Sequence, residues 1–371
     1  MALLGGRDTS SLVMLPGWDA TELQNFQLQD GTTYAAVVAQ MNAALGALSS
    51  ELYNHPLYSA LVSYTDQPDS EYRIGAAAGM SEVSEYTRPD PKRSETTGHM
   101  LPIKDYDRAL EWTWKYLKKA RMPQIEADIA GAIESVRTTY RQKILGRLLK
   151  RGDDTVGAAG YSPGFATAAS ATNVDFTPPS YAGTEFDSDH EHYVGITGGV
   201  FTPAVFTDAK DELREHGHEG DLDFIIGPSD EAAVRALTGS GFVPVNPSWV
   251  EYGALADRAR FGAASAAVGV YPIGAISDFR VWVVRGIPQY YGFGWKSYGA
   301  NSQRNPLRIR LDKGMTQPTI TAMTDPRSTN ATTPLQYLMM YTEFGVGVGS
   351  DRTNGTARYV NNTTWADGTV S

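Results

Sequence analysis

The sequence predicts an α+β fold built around one unusually long helix. Three observations predict it: a helical apolar period from residue 123 to about 151, a preceding hairpin-like segment with a charged tip, and a following region where short strands and helices alternate. Few compact domains need so long a helix. We therefore interpret it as a link between a protruding part and a globular part.

The composition is that of a folded chain without cysteine. Of its 371 residues, 42% are hydrophobic and 11% are aromatic, which is enough to build a core. The absence of cysteine excludes disulfides, cysteine-ligated zinc and thiol catalysis. The N-terminus lacks the basic and apolar regions of a signal peptide, and no apolar run approaches the ~18 residues of a membrane span. We therefore expect neither secretion nor a membrane partner.

The first part of the chain is predicted to be an arm followed by a helix. Residues 1–32 show no sustained period and contain turn-forming glycine and proline, which favours an extended arm. Thr32 or Thr33 can cap a helix that ends before Pro56. The apolar positions of this helix are Tyr34, Val37, Val38, Met41, Leu45, Leu48 and Leu52.

Residues 57–104 are predicted to form an extended hairpin. Strand-like runs at 61–64 and 72–83 precede a polar tip at 88–95 (RPDPKRSE), where the prolines exclude a central strand. A hairpin with few large apolar residues cannot bury itself. We expect it to lie on another surface.

The long helix follows this hairpin. Pro123 suits its first turn and Gly152 ends the run, so the helix should extend roughly 40 Å at about 1.5 Å per residue. Its apolar residues share one face: Ile125, Ile129, Ile133, Val136, Tyr140, Ile144 and Leu148.

The remaining elements follow from shorter patterns. We predict a helix at 230–237 capped by Ser229, and a hairpin at Asn354-Gly355 between strands 341–348 and 356–360. Further predicted elements are strands at 192–196, 222–226, 266–271, 279–284 and 307–311, a helix at 206–216, and an aromatic, glycine-rich run at 290–298.

Charge is distributed unevenly along the chain. The net charge is −10, but residues 104–151 carry twelve basic and six acidic side chains, whereas residues 185–231 carry thirteen acidic and two basic ones. Most such blocks are solvated faces. The alternative is two surfaces with different neighbours.

No convincing catalytic, cofactor or metal site is predicted. His190 and His192 would share one face of a strand and could ligate a metal, but a polar lead-in to a strand is the favoured interpretation. His216, followed by Gly217, is expected to be a helix C-cap. The glycine run at 345–349 (GVGVG) is not a dinucleotide loop, because too few residues follow it for the required helix and strand.

Several stretches together resemble a known family. They are 99–114 (HMLPIKDYDRALEWTW), 209–217 (AKDELREHG) followed by Phe-Ile-Ile at 224–226, and 344–355 (FGVGVGSDRTNG). In this order they resemble the major capsid proteins of tailed bacteriophages, which have the Hong Kong 97-type fold. The resemblance covers nearly the whole chain, and its motifs are structural rather than catalytic.

The resemblance implies five segments. These are an N-terminal arm and helix (1–56), an extended loop (57–104), a spine helix and peripheral domain (105–200), an axial domain (201–335) and the closing strands of the peripheral domain (336–371). It also implies a non-enzymatic virion protein, assembled in the host cytoplasm, that forms pentamers and hexamers and closes into an icosahedral capsid around double-stranded DNA.

The resemblance further implies partners and site residues. Scaffolding, portal and decoration proteins would be additional partners, and no cofactor is expected. The subunit-interface candidates in the arm and loop are Trp18, Tyr72, Arg88, Lys92, Arg93 and Glu95. The basic tract supplies three residues that would face DNA: Lys143, Arg147 and Lys150.

Two other functions remain as alternatives: an encapsulin-like compartment, and a metal-dependent hydrolase that uses His190 and His192. Because the extended loop begins near residue 57, we expect no removable scaffolding segment, and instead a separate scaffolding protein or self-sufficient assembly.

Some relatives of this family crosslink a loop lysine to a neighbour's asparagine, with a glutamate as base. The corresponding candidates in this chain are Lys92, Glu343, Asn354, Asn361 and Asn362. We predict no crosslink, because the tip around Lys92 is strongly solvated.

Overall fold

The structure, a computed structural model, describes residues 27–74, 95–155, 161–167, 176–187, 189–244, 269–324, 329–330 and 333–370. The predicted arm and loop tip therefore lie largely outside the described residues. The chain divides into two compact units. Unit 1 comprises Met1–Leu52, Asp105–Thr139 and Pro318–Glu343, and unit 2 comprises Tyr53–Lys104, Tyr140–Gln317 and Phe344–Ser371.

The described elements follow in chain order. The helices are α1 (Tyr34–Asn54), α2 (Pro56–Leu61), α3 (Trp114–Lys119), α4 (Met122–Leu148), α5 (Pro203–Glu215) and α6 (Glu231–Arg235), with a 3-10 turn at Ala236–Ser240. The strands are β1 (Val62–Thr65), β2 (Asp69–Ile74), β3 (Glu95–Met100), β4 (Lys104–Thr113), β5 (Asp154–Thr155), β6 (Tyr161–Ser162), β7 (Tyr193–Gly195), β8 (Leu222–Ile226), β9 (Val243–Pro244), β10 (Val270–Ile276), β11 (Phe279–Val284), β12 (Tyr291–Lys296), β13 (Leu307–Arg310), β14 (Thr321–Thr324), β15 (Thr329–Asn330), β16 (Thr333–Val348) and β17 (Thr356–Tyr359).

The predicted long helix is confirmed as α4, which has 27 residues. Helix α1 is also confirmed, and its cap is Thr33, whose Oγ1 accepts a hydrogen bond from the Ala36 amide at 3.3 Å. Within unit 1, Asp30 Oδ2 accepts from the Met122 amide at 2.7 Å at the start of α4. The guanidinium of Arg137 donates to Glu51 at 2.9 Å, which ties α4 to α1.

Unit 2 is built around a seven-stranded sheet with the order β7-β17-β12-β8-β11-β10-β9. Strand β8 is buried along its whole length because β11 and β12 flank it and α5 contributes an apolar face. That face and the sheet form one core: Phe201, Val205, Phe206, Ala209, Leu213, Leu222, Phe224, Ile226, Val234, Phe242, Ile273, Ile276, Phe279, Val281, Val283 and Val360.

Strand β16 contributes to both units. In unit 1 it pairs with β14, with Thr321 opposite Tyr341. In unit 2 its last residues pair with β13, which in turn pairs in parallel with β1. The run at 61–64 is therefore a sheet strand, and the hairpin proper begins at β2.

Three predictions about local structure were wrong. The predicted hairpin at Asn354-Gly355 does not form, because β16 pairs with β13 whereas β17 pairs with β12 and β7. The cap of α6 is Asp230 rather than Ser229. The strand predicted at 266–271 has different bounds: Gly269 lies in a turn, β10 begins at Val270, and residues 266–268 lie outside the described residues.

The glycine run at 345–349 has a steric explanation. A Cβ on Gly345 would collide with the Pro102 carbonyl oxygen, and one on Gly347 would collide with Leu101 and with Ser162 Oγ. The backbone of β16 thus approaches its neighbours too closely for any side chain.

We predict that Gly345→Ala destabilises the subunit by about 2 kcal/mol or more, because the rigid backbone at Pro102 must move. The matched control is Gly146→Ala, since Gly146 lies in α4 with no atom within 4 Å of an added Cβ. It should stabilise the subunit by about 0.5–1 kcal/mol, because alanine favours the helix. Urea unfolding followed by circular dichroism measures both. Equal effects of the two substitutions would contradict the steric explanation.

Candidate assembly surface

The hairpin β2–β3 pairs only with itself among the described strands. Its side chains alternate: Ser70 and His99 lie opposite each other and are buried, whereas Glu71 and Met100 are exposed. Met100 leaves 51% of its surface exposed. The hairpin therefore presents one face to its own chain and one face outward.

The inner face is anchored to unit 2 by buried polar groups. His99 Nε2 donates to the Val348 carbonyl oxygen at 3.0 Å. The Arg352 guanidinium, 2% exposed, donates to Tyr72 Oη at 3.1 Å and to the Gly164 carbonyl oxygen at 3.1 Å. Arg352 also lies 4.2 Å from the centre of the Phe176 ring, in a cation–π contact. The base of the hairpin is thus held in place within the subunit.

The structure describes two of the six interface candidates. The ring of Tyr72 contacts His99 and Phe176 and its hydroxyl accepts from Arg352, so the side chain packs on its own subunit, and its place at a subunit interface stays a prediction. Glu95 begins β3, opposite Ile74. The other four candidates lie outside the described residues: Trp18, Arg88, Lys92 and Arg93.

The three predicted DNA-facing residues are in different environments. Lys143 is exposed, and Lys150 lies 3.3 Å from Asp154 in an ion pair. The prediction that Arg147 faces DNA needs correction, because Arg147 is only 3% exposed. Its Nη1 donates to the carbonyl oxygens of Lys150 and Gly152. It closes the end of α4 and is poorly placed for phosphate.

Much of the acidic tract is neutralised internally. The Asp223 carboxylate, 1% exposed, accepts hydrogen bonds from Nε and Nη2 of Arg280 at 2.9 and 2.8 Å. It also accepts one from the Trp282 indole at 2.8 Å. Glu212 pairs with the buried Arg358, and Glu191 lies 2.7 Å from Arg151. The surface of this tract is therefore less negative than its sequence predicts.

His216 is the helix C-cap that the sequence predicts, and Gly217 follows it at φ +79. The structure adds that the ring of His216 lies against those of His190 and His192. One ligand atom of each of the three residues lies within 4.8 Å of those of the other two.

Sequence reasoning missed both Arg352 and the role of His216. Neither carries a local signal, since their partners lie far away along the chain. A buried arginine in a glycine-rich loop cannot be distinguished from a solvated one by composition.

Solved structures share this fold. A chain from Mycobacterium phage Patience matches with a TM-score of 0.65 and 16% identity, over 93% of this chain and 96% of that one. A chain from the asymmetric unit of the bacteriophage PhiM1 mature capsid matches with a TM-score of 0.48 and 12% identity, over 82% of this chain and 87% of that one. A chain of the holo-SrpI encapsulin complex from Synechococcus elongatus matches with a TM-score of 0.47 and 11% identity, over 85% of this chain and 90% of that one.

The chain has the fold of the phage Patience chain. The predicted α+β class is confirmed. No protein-family model and no curated protein matches the sequence. Among the described residues, no helix has the length and apolar character needed to cross a membrane.

Acid should weaken the anchored hairpin through His99. Burial, together with Arg352, Arg147 and Arg308, lowers the pKa of His99 to about 3. Because unfolded His99 titrates near its ordinary value of about 6.5, the unfolded state binds a proton that the folded state does not, and stability falls as the pH drops from about 6.5 toward 3. His99→Gln keeps a donor for Val348 and should lose less stability between pH 7.5 and pH 5, measured by urea unfolding. If His99→Gln loses as much stability as the wild type between pH 7.5 and pH 5, this role of His99 is refuted.

The structure also bears on covalent crosslinking. Asn354 is fully buried, its Nδ2 donates to the carbonyl oxygens of Lys296 and Arg304, and its Oδ1 accepts from the Lys296 amide. It is thus committed within the subunit, whereas Asn361 and Asn362 are exposed.

We predict that boiled particles run as a single band near the 40.3 kDa monomer on a denaturing gel. A ladder of multiples that disappears in Lys92→Ala would contradict this prediction. Asn361→Ala and Asn362→Ala, compared separately, would then identify the partner.

Proposed function

We propose that this chain is the major capsid protein of a tailed bacteriophage, a structural protein without a catalytic role. One observation carries the proposal: the likeness to the phage Patience chain extends over 93% of this chain and 96% of that one, so the whole subunit, and not one module, has this fold. At 16% identity the likeness concerns the fold, and the function is our inference from it.

In this proposal the chain assembles as pentamers and hexamers that close into an icosahedral head. The hairpin supplies a physical reason. Its base is fixed by Arg352 and His99, while its outer face, with Met100, is exposed. A neighbouring subunit can cover this face, and repetition of the same contact around symmetry axes closes a shell.

Packaged double-stranded DNA is the proposed content of the shell. Only weak, sequence-independent contacts to phosphate are needed, and Lys143 and Lys150 are the candidates that remain after the burial of Arg147. A reconstruction of the filled head that places Lys143 on the outer surface would oppose this assignment. Scaffolding, portal and decoration proteins are further proposed partners, and the virion is the proposed location.

An encapsulin-like compartment is the alternative function. No observation on this chain favours it, and the phage Patience chain, with a TM-score of 0.65, is not an encapsulin. The contents of purified particles separate the two functions: nucleic acid supports the phage head, and a protein cargo supports the compartment.

The part of the hairpin beyond β2 and β3 should be needed for assembly but not for folding. We predict that replacing residues 76–93 with a short Gly-Ser linker leaves the thermal midpoint within roughly 3 °C of the wild type, because the anchoring residues are retained. Electron microscopy and mass photometry should then show no closed shells.

The control for this experiment is a variant with residues 76–93 in scrambled order. Loss of shells in both variants would show that specific contacts matter, whereas shells in the scrambled variant alone would show that length suffices. Closed shells from the linker variant, or a wild-type chain that remains monomeric with and without a coexpressed scaffolding protein, would contradict the proposal.

A further inference from the structure

Three histidine side chains converge in unit 2. His190 and His192 lie in the segment just before β7, and His216 is the C-cap of α5. Their Nε2 atoms lie 3.0 Å apart between His190 and His192, 2.8 Å apart between His190 and His216, and 3.1 Å apart between His192 and His216. His192 is completely buried, and the other two are partly buried.

Hydrogen bonding alone cannot satisfy this arrangement. The Nε2 of a neutral imidazole either carries a hydrogen or presents a lone pair, so among three mutually contacting nitrogens at least two must face each other in the same state. His192 Nδ1 lies 2.7 Å from the Gly355 carbonyl oxygen, which can only accept. Nδ1 of His192 therefore carries the hydrogen, and its Nε2 presents a lone pair to the other two rings.

We propose that His190, His192 and His216 bind one divalent transition-metal ion, with zinc as the expected ion. For a metal about 2.05 Å from each nitrogen, adjacent ligand nitrogens lie about 2.9 Å apart at octahedral angles and about 3.4 Å apart at tetrahedral angles. The three observed separations, 2.8 to 3.1 Å, match octahedral angles. The nitrogens would need to move apart only slightly to reach tetrahedral angles. Imidazole ligands suit zinc, copper, nickel and iron.

The surroundings support the ligands. The Gly355 carbonyl oxygen fixes the tautomer and the orientation of His192, as second-sphere acceptors do in metal sites. The ring of Phe186 lies 4.2 Å from that of His216 and 4.9 Å from that of His190, and it covers the cluster. Glu212 lies one helical turn before His216, and its negative charge lowers the local positive potential. Its Oε2 already accepts hydrogen bonds from Arg358 and Thr356.

The expected role is structural. The ion would join the lead-in of β7 to the end of α5, whose apolar face belongs to the core of unit 2. Binding only to the folded state raises stability in proportion to the logarithm of the metal concentration. No described acidic residue completes a fourth protein ligand, so water would occupy the remaining position.

The test uses the purified full-length chain, stripped with a chelator and then titrated with Zn²⁺ against a chromophoric competitor. We expect one zinc per chain with a dissociation constant on the order of 1 µM or below. Zinc should raise the thermal midpoint by roughly 3–8 °C. In His190→Ala, chosen because His190 is only partly buried, we expect the affinity to fall by about 100-fold and the thermal shift to disappear.

The matched control is His218→Gln. His218 is 1% exposed, lies two residues after His216, and bonds to Tyr298 Oη at 2.8 Å and Thr353 Oγ1 at 3.0 Å, away from the cluster. This variant should lose stability but still bind one zinc. Equal zinc affinity in the wild type and His190→Ala, or no stoichiometric zinc in the wild type, would overturn the inference and leave a cluster that holds only water. Neither readout depends on shell assembly, so failure here is distinguishable from failure of the capsid proposal.

Discussion

A single buried polar segment, residues 352–358, positions most of the elements of unit 2. A buried polar group without a partner costs roughly 1–3 kcal/mol, so each buried side chain in this segment must find one. Arg352 bonds to the hairpin, Asn354 bonds to the end of β12, and Arg358 pairs with Glu212 on α5. Even a backbone group takes part, since the Gly355 carbonyl oxygen orients His192. The hairpin, the sheet and the helix are thus fixed relative to one short stretch of chain.

In the proposed capsid, this arrangement would separate folding from assembly. The inner face of the hairpin is satisfied by groups of its own subunit, so the base does not need a neighbour in order to be ordered. The outer face is left exposed, and Met100 is the largest apolar group there. A shell built from such subunits can form from many modest contacts, because symmetry repeats each contact and no single interface has to be strong.

The same unit manages charge internally. Arginines 280, 358 and 151 neutralise acidic residues of the 185–231 tract, and both partners are largely buried in the Arg358–Glu212 pair. Removal of one partner from such a pair would leave an uncompensated charge, which is strongly destabilising. The histidine cluster leaves a conflict within this unit, since at least two of its three Nε2 atoms must face each other in the same hydrogen-bonding state. A bound ion would complete the pattern.

The sequence by itself determined the elements whose burial is periodic. Helices α1, α4 and α5 and strands β8, β11 and β13 lie close to their predicted positions, because the apolar period is set by local backbone geometry and one buried face. Only the tertiary structure decided the pairing. Asn354-Gly355 has the residues of a tight hairpin. The Asn354 side chain instead donates hydrogen bonds to the carbonyl oxygens of Lys296 and Arg304, and the following strand β17 pairs with β12. His216 was predicted correctly as a cap, but its contact with His190 joins residues 26 positions apart. Such contacts depend on which buried groups need partners in the folded chain, and no local pattern records that.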